Sequence, residues 1–302
     1  MEDLIIIGAA PAGLTAGLYA ARARLKTILL EKLAPGGQVM TTDLVENYPG
    51  FPEGISGFEL VDRMKRQVEK FDLEIQSQEV TRLELSKERK IVVTDKQEFE
   101  TKALILACGA TARKLGIEGE AFLSGISYCA TCDGPFYRDQ EVAVIGGGDT
   151  AVEEAMFLTK FARKVHIIHR RDELRATKLL QERAMASEKI AFIWDTIPTG
   201  MTGLTAVDGI KLKNVKTGET SHLPVDGIFT FIGYIPSNEL VKDQLELDEY
   251  GFVLTDNNME TSIPGVFAAG DIRSKLLRQV STAVGEGATA AFAAERYIES
   301  LE

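Results

Sequence analysis

The stretch LIIIGAAPAGLTAGLYAARARLKTILLE, residues 4–31, decides the fold of the first part of the chain. Its apolar runs at 4–7 and 27–30 predict two strands, and the helix formers at 11–24 predict a helix between them. Glycines at such a turn, followed by the free N–H groups of a helix start, can hold a pyrophosphate. Glu31, about 20 residues after the first glycine, can accept a hydrogen bond from a ribose hydroxyl. The stretch therefore predicts a dinucleotide site, and the alternative is a glycine-rich turn without a ligand.

One residue of this fingerprint departs from the usual pattern. Ala10 stands where a second glycine normally lets the backbone approach the pyrophosphate. Its methyl group should crowd that approach. We expect a nucleotide that is slightly displaced or more weakly held.

A second fingerprint, GGGDTA at 146–151, follows the apolar run 142–145 and precedes a predicted helix at about 150–159. The next predicted strand, 165–168, ends in basic residues rather than an acid, namely His169, Arg170, Arg171 and, further on, Arg175. Arginines suit a ribose 2′-phosphate through charge-assisted forks. This unit is therefore predicted to bind NADPH, and the unit with the acid is predicted to bind FAD. The alternative is a solvated basic segment with Asp172 and Glu173 as its partners.

Between the two fingerprints lies the sequence Cys129-Ala130-Thr131-Cys132-Asp133. This spacing allows a disulfide, and such pairs often carry one thiol of depressed pKa that attacks other disulfides. Asp133 could pass a proton to or from a thiol. A zinc site would need two further ligands, and the candidates are Cys108, His166, His169 and His222. We interpret the pair as redox-active and Cys108 as a small buried residue.

The composition limits the class of protein. The 302 residues are 45% hydrophobic and 26% charged, as in ordinary globular chains, and two fingerprints favour two domains. A net charge of -11 argues against nucleic acid as a partner. No apolar segment approaches the roughly 20 residues that span a bilayer, so no membrane partner is expected. The first strand starts too early for a leader peptide, and we expect a cytoplasmic protein.

The chain resembles the low-molecular-weight thioredoxin reductases of bacteria and archaea over nearly its whole length. It departs from their pattern at Ala10 and at Cys108, where threonine is commoner. The segments that carry the resemblance are 8–13, Gly36-Gly37-Gln38, Glu46-Asn47-Tyr48-Pro49-Gly50, Cys129 to Gly134, 146–151, His169-Arg170-Arg171 with Arg175, Phe231-Ile232-Gly233, Ala269-Gly270-Asp271 and Arg278-Gln279-Val280.

The resemblance implies an α/β homodimer with two Rossmann-like, dinucleotide-binding domains, the second inserted into the first. Residues 1–113 and 238–302 would form the FAD-binding domain, and residues 114–237 the NADPH-binding domain that carries the dithiol. Domain rotation, hinged near 113–116 and 236–238, would let the dithiol meet the flavin and the protein substrate in turn.

The resemblance also implies the cofactor-binding residues. FAD would contact Gly8, Pro11, Ala12, Gly13, Glu31, Lys32, Gly37, Gln38, Asn47, Val80, Ala107, Gly109, Gly270, Asp271, Arg278, Gln279, Val280 and Ala283. NADPH would contact Gly148, Asp149, Thr150, Glu153, His169, Arg170, Arg171, Arg175, Ile232 and Gly233.

The implied activity is that of a thioredoxin-disulfide reductase. Hydride would pass from NADPH to FAD, then to the Cys129–Cys132 disulfide, and finally to thioredoxin or a thioredoxin-like protein. Cys132 would lie nearest the flavin and Asp133 would act as the acid. Two alternatives stay open: a reductase of the same fold that uses NADH or ferredoxin, and a non-catalytic flavin electron carrier or redox sensor.

Overall fold

At each glycine fingerprint a strand, a helix and a second, parallel strand follow one another, as the two βαβ patterns predict. The computed structural model describes residues 1–42 and 44–301. Its strands are β1 (Glu2–Ile7), β2 (Thr27–Glu31), β3 (Ile75–Ser77), β4 (Val80–Leu85), β5 (Lys90–Thr94), β6 (Glu98–Leu106), β7 (Ala110–Ala112), β8 (Ile126–Ser127), β9 (Glu141–Gly146), β10 (Lys164–Ile168), β11 (Ile190–Ile193), β12 (Thr196–Gly203), β13 (Val207–Asn214), β14 (Thr220–Pro224), β15 (Gly227–Phe231), β16 (Tyr234–Pro236) and β17 (Val266–Ala268). Its α-helices are α1 (Pro11–Arg22), α2 (Gly57–Glu69), α3 (Ala130–Asp133), α4 (Asp149–Leu158), α5 (Lys178–Met185) and α6 (Val280–Glu299), and 3-10 turns cover Gly37–Thr41 and Gly134–Tyr137.

The chain divides into two compact units, and the second is inserted into the first. Met1–Thr111 and Ile235–Glu302 form the first unit, and Ala112–Tyr234 forms the second. The resemblance implied boundaries at 113/114 and 237/238. The α/β class with one unit inserted into the other agrees with the prediction. In the part of the chain that is described, no helix is long and apolar enough to cross a membrane.

The first unit is built on a sheet in the order β3-β2-β1-β6-β5-β4, with β17 also paired to β6. β1 runs parallel to β2 and β6, with Ile6 opposite Leu29 on one side and Ile105 on the other. Leu4 and Ile6 pack into the core that contains residues of α1 and α6, whereas Ile5 and Ile7 pack into a core on the opposite face. Burial on both faces explains why β1 is a continuous apolar run.

The second unit is built on a parallel sheet in the order β11-β10-β9-β15-β8. Val142 and Val144 of β9 pack with Ala151, Ala155 and other apolar residues of α4. An antiparallel sheet, β12-β13-β14, completes the unit. The sequence made no assignment for these last strands.

Candidate functional site

The first glycine turn joins β1 to α1 through close backbone contacts. Gly8 has a φ of +104°, and a side chain there would lie 2.4 Å from the carbonyl oxygen of Ala107. A side chain at Gly13 would lie 1.7 Å from the carbonyl oxygen of Gly8. Pro11 occupies the first turn of α1, where its missing N–H costs nothing. The turn therefore needs its glycines and leaves the N-terminus of α1 open to a ligand, which fits a pyrophosphate.

Ala10 is accommodated at this turn by its neighbour in space. Its φ of -86° is ordinary for any residue, so a glycine is not required there. A Cβ at Gly37 would lie 2.9 Å from the methyl group of Ala10. The methyl group thus occupies space beside Gly37, which has no side chain to compete for it.

Glu31, at the end of β2, is fixed at the edge of the turn. Its Oε2 accepts a hydrogen bond from the N–H of Ala9 at 2.9 Å, and its Oε1 accepts from the N–H of Leu33 at 3.0 Å. A carboxylate oxygen can accept more than one hydrogen bond. Glu31 therefore keeps capacity for a ribose hydroxyl, and its position is set before a ligand binds.

Gly270 and Asp271, which follow β17, lie close to the start of α1. A Cβ at Gly270 would lie 3.0 Å from the methyl group of Ala12. A Cβ at Gly287 of α6 would lie 2.2 Å from the carbonyl oxygen of Ala12. The last segment of the chain is thereby packed onto the first glycine turn, although more than 250 residues separate them.

An ion-pair network that the sequence analysis missed fixes Asp271. Lys275 Nζ lies 3.0 Å from Asp271 Oδ1 and 3.3 Å from Glu286 Oε2, and Arg273 Nη1 lies 3.0 Å from Glu286 Oε1. The N–H of Gly270 donates to Glu286 Oε2 at 2.7 Å. The Lys275 side chain is only 7% exposed. Residues 271–275 lie outside the helices, so the spacing of Asp271 and Lys275 is not a helical pairing signal, and sequence patterns gave no indication of this network.

The other residues predicted to contact FAD lie in loops and at the ends of elements of the same unit. Gln38 Nε2 donates to the carbonyl oxygen of Ala110, and Asn47 Nδ2 donates to Gln279 Oε1 at 3.1 Å. The Arg278 guanidinium lies 4.0 Å from the ring centre of Phe252. Of the remainder, Lys32 is exposed after β2, Val80 begins β4, Ala107 is buried after β6, Gly109 faces open space, Val280 begins α6 and Ala283 is buried in its first turn.

Cys108 is adjacent to these residues and is partly buried. Its Sγ contacts the carbonyl oxygen of Ile7 at 3.7 Å. Burial raises the pKa of the Cys108 thiol to about 12, and the charge of Glu31 contributes. The thiol is therefore protonated near neutral pH and is a poor nucleophile.

The second glycine turn is covered by the loop that carries the arginines. A Cβ at Gly147 would lie 2.2 Å from the His169 ring nitrogen Nδ1. The N–H of Arg175 donates to the carbonyl oxygen of Gly147 at 2.7 Å, and the N–H of Thr177 donates to Asp149 Oδ1 at 2.7 Å. The ideal Cβ position at Gly148 is 3.9 Å from Arg175 Nη2. The fold thus places a guanidinium beside the start of α4.

His169 is 6% exposed, and burial lowers its pKa, so the ring is neutral near neutral pH. Its Nε2 has no hydrogen-bond partner within residues 1–42 and 44–301. Buried polar atoms of proteins usually have a partner. An orphaned ring nitrogen next to a glycine turn fits a site that a nucleotide completes.

Arg170, Arg171 and Arg175 are exposed and keep their charges available. The nearby acidic residues form ion pairs with lysines instead. Asp172 pairs with Lys216 at 2.6 Å, and Glu173 pairs with Lys178 at 2.8 Å. Among the described residues, no carboxylate pairs with these three arginines. The structure therefore disfavours Asp172 and Glu173 as their partners and favours a phosphate group.

The remaining residues predicted to contact NADPH lie near the same end of the second unit's sheet. Thr150 and Glu153 are exposed on α4. Ile232 and Gly233 follow β15, and Gly233 has a φ of +105° with open space in front of it.

Cys129 and Cys132 form a disulfide with a Cα–Cα distance of 5.3 Å, and both are partly exposed. Cys129 caps the single turn of α3, and its Sγ accepts a hydrogen bond from the N–H of Cys132 at 3.2 Å. The pair is thus held in one helical turn and can be reached from solvent, as exchange with another disulfide requires.

Ser127, which the sequence analysis did not single out, holds Asp133 in place. Its Oγ is 2.6 Å from Asp133 Oδ2 and accepts from the N–H of Cys129 at 3.1 Å. Ser127 is only 3% exposed. The buried hydroxyl therefore links the candidate acid to the first cysteine. A serine two residues before a CxxC motif carries no signal of this role by itself.

Other contacts fix the segment before the dithiol. The Tyr128 hydroxyl donates to Glu120 Oε1 at 2.9 Å, and the same carboxylate accepts from the N–H groups of Leu115 and Gly116 at 2.9 and 2.6 Å. The Tyr234 hydroxyl donates to the carbonyl oxygen of Tyr128 at 3.0 Å.

The candidate zinc ligands are not brought together. His166 Nε2 lies 3.1 Å from Glu141 Oε2, and His222 Nε2 lies 3.0 Å from Thr202 Oγ1. In the described ranges, no group of three or more His, Cys, Asp or Glu residues is arranged to hold a metal.

Comparison with known proteins gives consistent matches over the whole chain. Residues 2–287 match the family model "Pyridine nucleotide-disulphide oxidoreductase". A thioredoxin reductase of Peptoclostridium litorale is 50% identical over 307 residues, which cover 99% of this chain and 98% of that protein. One of Mycolicibacterium smegmatis is 49% identical and covers 99% and 97%. The crystal structure of thioredoxin reductase from Streptococcus pyogenes MGAS5005 superposes with a TM-score of 0.94, at 48% identity and with 99% of each chain covered.

Proposed function

The chain belongs to the pyridine nucleotide-disulphide oxidoreductase family, and from this membership and its site we propose that it is an NADPH-dependent, FAD-containing thioredoxin-disulfide reductase. The observation that carries the proposal is the partly exposed Cys129–Cys132 disulfide in the unit that also holds the arginine-bearing glycine turn. One unit thus contains both the proposed site of a nicotinamide nucleotide and a disulfide that can exchange with other disulfides.

Both nucleotide sites fit the groups proposed for them. The first glycine turn, Glu31 and Asp271 would hold FAD, because close backbone contacts at Gly8, Gly13 and Gly270 leave the N-terminus of α1 free for phosphate. The second turn would hold NADPH beside the unpaired arginines and the orphaned His169 nitrogen. When bound, the two cofactors supply hydride and electron transfer.

The residues of the chain carry out the exchange step. Two electrons and two protons convert the Cys129–Cys132 disulfide into two thiols. One thiolate then attacks a disulfide of the partner and forms a mixed disulfide, and one partner sulfur leaves as a thiolate. The second thiolate of the pair opens the mixed disulfide, which restores Cys129–Cys132 and leaves the partner reduced.

Asp133 is positioned to serve the proton transfers of these steps. The Ser127 hydroxyl lies 2.6 Å from the carboxyl group of Asp133 and fixes it there, and Ser127 itself is two residues before Cys129 in the chain. A positioned carboxyl can give a proton to a leaving thiolate and take one from an attacking thiol. We assign Asp133 as the acid and Ser127 as the residue that orients it.

The proposed partner is thioredoxin or a thioredoxin-like protein, and we propose that the chain works as a homodimer in the cytoplasm. The net charge of -11 argues against nucleic acid. A dithiol that cycles between two redox states suits a reducing compartment.

The test is an anaerobic titration of the purified protein with NADPH and separately with NADH, followed by a thioredoxin. The proposal predicts a yellow protein whose flavin is bleached preferentially by NADPH and catalytic reduction of thioredoxin. Cys129→Ser and Cys132→Ser should abolish thioredoxin reduction and leave flavin bleaching intact. Cys108→Ser is the matched control and should behave as the unaltered protein.

Other outcomes would contradict the proposal in distinguishable ways. A preference for NADH, or reduction only by ferredoxin, would indicate a reductase of the same fold with another donor. Stoichiometric reduction without turnover would indicate a redox sensor. Turnover by the Cys132→Ser variant would mean that electrons reach thioredoxin by a route that avoids the pair.

A further inference from the structure

Glu154, on α4, contacts the dithiol turn but has no part in the steps described above. Its Oε2 accepts a hydrogen bond from the backbone N–H of Ala130 at 3.2 Å. The backbone of Thr131 also lowers the pKa of this carboxyl. Ala130 and Thr131 are the two residues between the cysteines. One carboxylate thus interacts with the backbone of both intervening residues.

The dithiol turn depends on partners outside itself. α3 is a single turn, and helices this short do not form by themselves, because their first N–H groups have no partner within the helix. Cys129 Sγ accepts a hydrogen bond from the N–H of Cys132, and Glu154 Oε2 accepts one from the N–H of Ala130. Ala130 is fully buried in the same core as Ala155 of α4. The turn is therefore attached to α4 by a polar and an apolar contact.

The same helix also begins at the second glycine turn. Gly148 is the N-cap of α4, and Glu154 lies fewer than two helical turns further on. The helix thus connects the proposed NADPH turn to the dithiol through a short, rigid segment.

The charge of Glu154 has a consequence for the reduced sulfurs. A carboxylate near a thiol disfavours the thiolate and raises the thiol pKa. Burial raises the pKa of Glu154 itself, and the charge of Glu153 adds to this. Asp133, which Ser127 holds, is a further ionisable group at the turn, and burial raises the pKa of the nearby Tyr137 to about 12. Tyr137 is therefore neutral in the working range.

We propose that Glu154 is a positioning residue for the proposed reductase reaction: it fixes the Cys129–Cys132 turn on α4 and keeps the reduced pair protonated until exchange begins. The inference rests on the proposed function for its role in turnover. Its two physical effects, on the turn and on the thiols, can be measured without NADPH or thioredoxin.

The test compares the unaltered protein with the variants Glu154→Gln, Glu154→Leu and Glu182→Gln. Glu182 is an exposed carboxylate on α5, so Glu182→Gln serves as the matched control. Each protein is reduced with dithiothreitol, desalted anaerobically and alkylated with iodoacetamide over a pH series. Peptide mass spectrometry then assigns the rates to individual cysteines. Cys108 provides a slow internal reference, because its pKa is raised to about 12.

Glu154→Gln keeps an acceptor but removes the charge. It should shift the alkylation profile of the dithiol to lower pH and increase the rate near neutral pH by about threefold or more, with an unchanged melting temperature. Glu154→Leu removes the acceptor as well and should also lower the melting temperature. Glu182→Gln should match the unaltered protein in both measurements.

A Glu154→Gln profile that superposes on those of the unaltered protein and Glu182→Gln would overturn the inference. This result would not contradict the proposed reductase activity. Conversely, failure of the unaltered protein to reduce thioredoxin would contradict the proposed function and leave the alkylation result standing. If Glu154→Leu does not fold, Glu154→Gln still decides the matter.

Discussion

Replacing Arg170 and Arg171 by glutamine should weaken the use of NADPH and spare that of NADH. Both guanidinium groups are exposed, and no carboxylate within residues 1–42 and 44–301 pairs with them. Lys216 and Lys178 hold the two neighbouring acids, Asp172 and Glu173. The arginines are therefore free to bind the 2′-phosphate, which distinguishes the two nucleotides.

The magnitude follows from the exposure of these groups. A hydrogen bond to a charged group contributes about 1.5–3 kcal/mol, whereas an exposed ion pair contributes about 0.2–1 kcal/mol. Because the site is open to solvent, we take about 1 kcal/mol for each arginine. At about 1.4 kcal/mol per factor of ten, each loss raises the KM for NADPH about fivefold, and both losses raise it roughly 25-fold.

The assay is steady-state reduction of thioredoxin with each nucleotide at several ionic strengths. The KM for NADH should change less than about twofold, since NADH lacks the phosphate. Added salt should weaken NADPH binding more in the unaltered protein than in the double variant. Arg163→Gln is the matched control, because its guanidinium pairs with Glu141 at 3.0 Å in the same unit. An equal rise of KM for both nucleotides would refute the reasoning.

Three further predictions concern single residues. Ser127→Ala should slow dithiol exchange about tenfold, the value of one lost hydrogen bond to Asp133, while stopped-flow flavin reduction stays unchanged; a slowed flavin reduction would contradict the assigned role. After reduction, an alkylating reagent near neutral pH should label the two thiols of the pair in the native protein and Cys108 only after unfolding, because its pKa is about 12; rapid native labelling of all three would contradict the burial argument. Burial lowers the pKa of Lys90 from 10.5, so the unfolded chain binds this proton more tightly and the folded protein gains stability as pH rises through the folded pKa towards 10.5. Lys90→Met should lack this part of the gain in urea denaturation at a series of pH values, and identical pH dependence in the two proteins would show that Lys90 does not cause it.

The sequence predicted the elements that consist of one continuous pattern. The strand, glycine turn and helix at 2–22 were placed to within a few residues, because an apolar run buried on both faces and a glycine turn are local signals. The predicted end of α1 at Arg24 was too late. The helix ends at Arg22, and Arg24 has a φ of +60°, which is not helical.

The contacts that position the site were less accessible, because they join residues from separate segments. The pairing of Ala10 with Gly37 depends on how a loop returns to the first turn. The ion-pair network of Asp271, Lys275 and Glu286 requires α6 to lie beside the segment after β17. Neither arrangement leaves a periodic trace, so sequence patterns indicated the residue types at the site but not their mutual support.

The insertion of one unit into the other imposes an order on folding during synthesis. Residues Leu104–Leu106 of β6 have β1 on one side and β17 on the other, and β17 leaves the ribosome only after the whole second unit. The second unit can fold as soon as Tyr234 has emerged, because domains generally fold as units during synthesis. Until β17 arrives, one edge of the central strand of the first unit stays uncovered, and open strand edges promote aggregation. The half-made chain is therefore vulnerable from the synthesis of Leu106 to that of Ala268, and an early stop after Tyr234 yields one finished unit attached to one that cannot close.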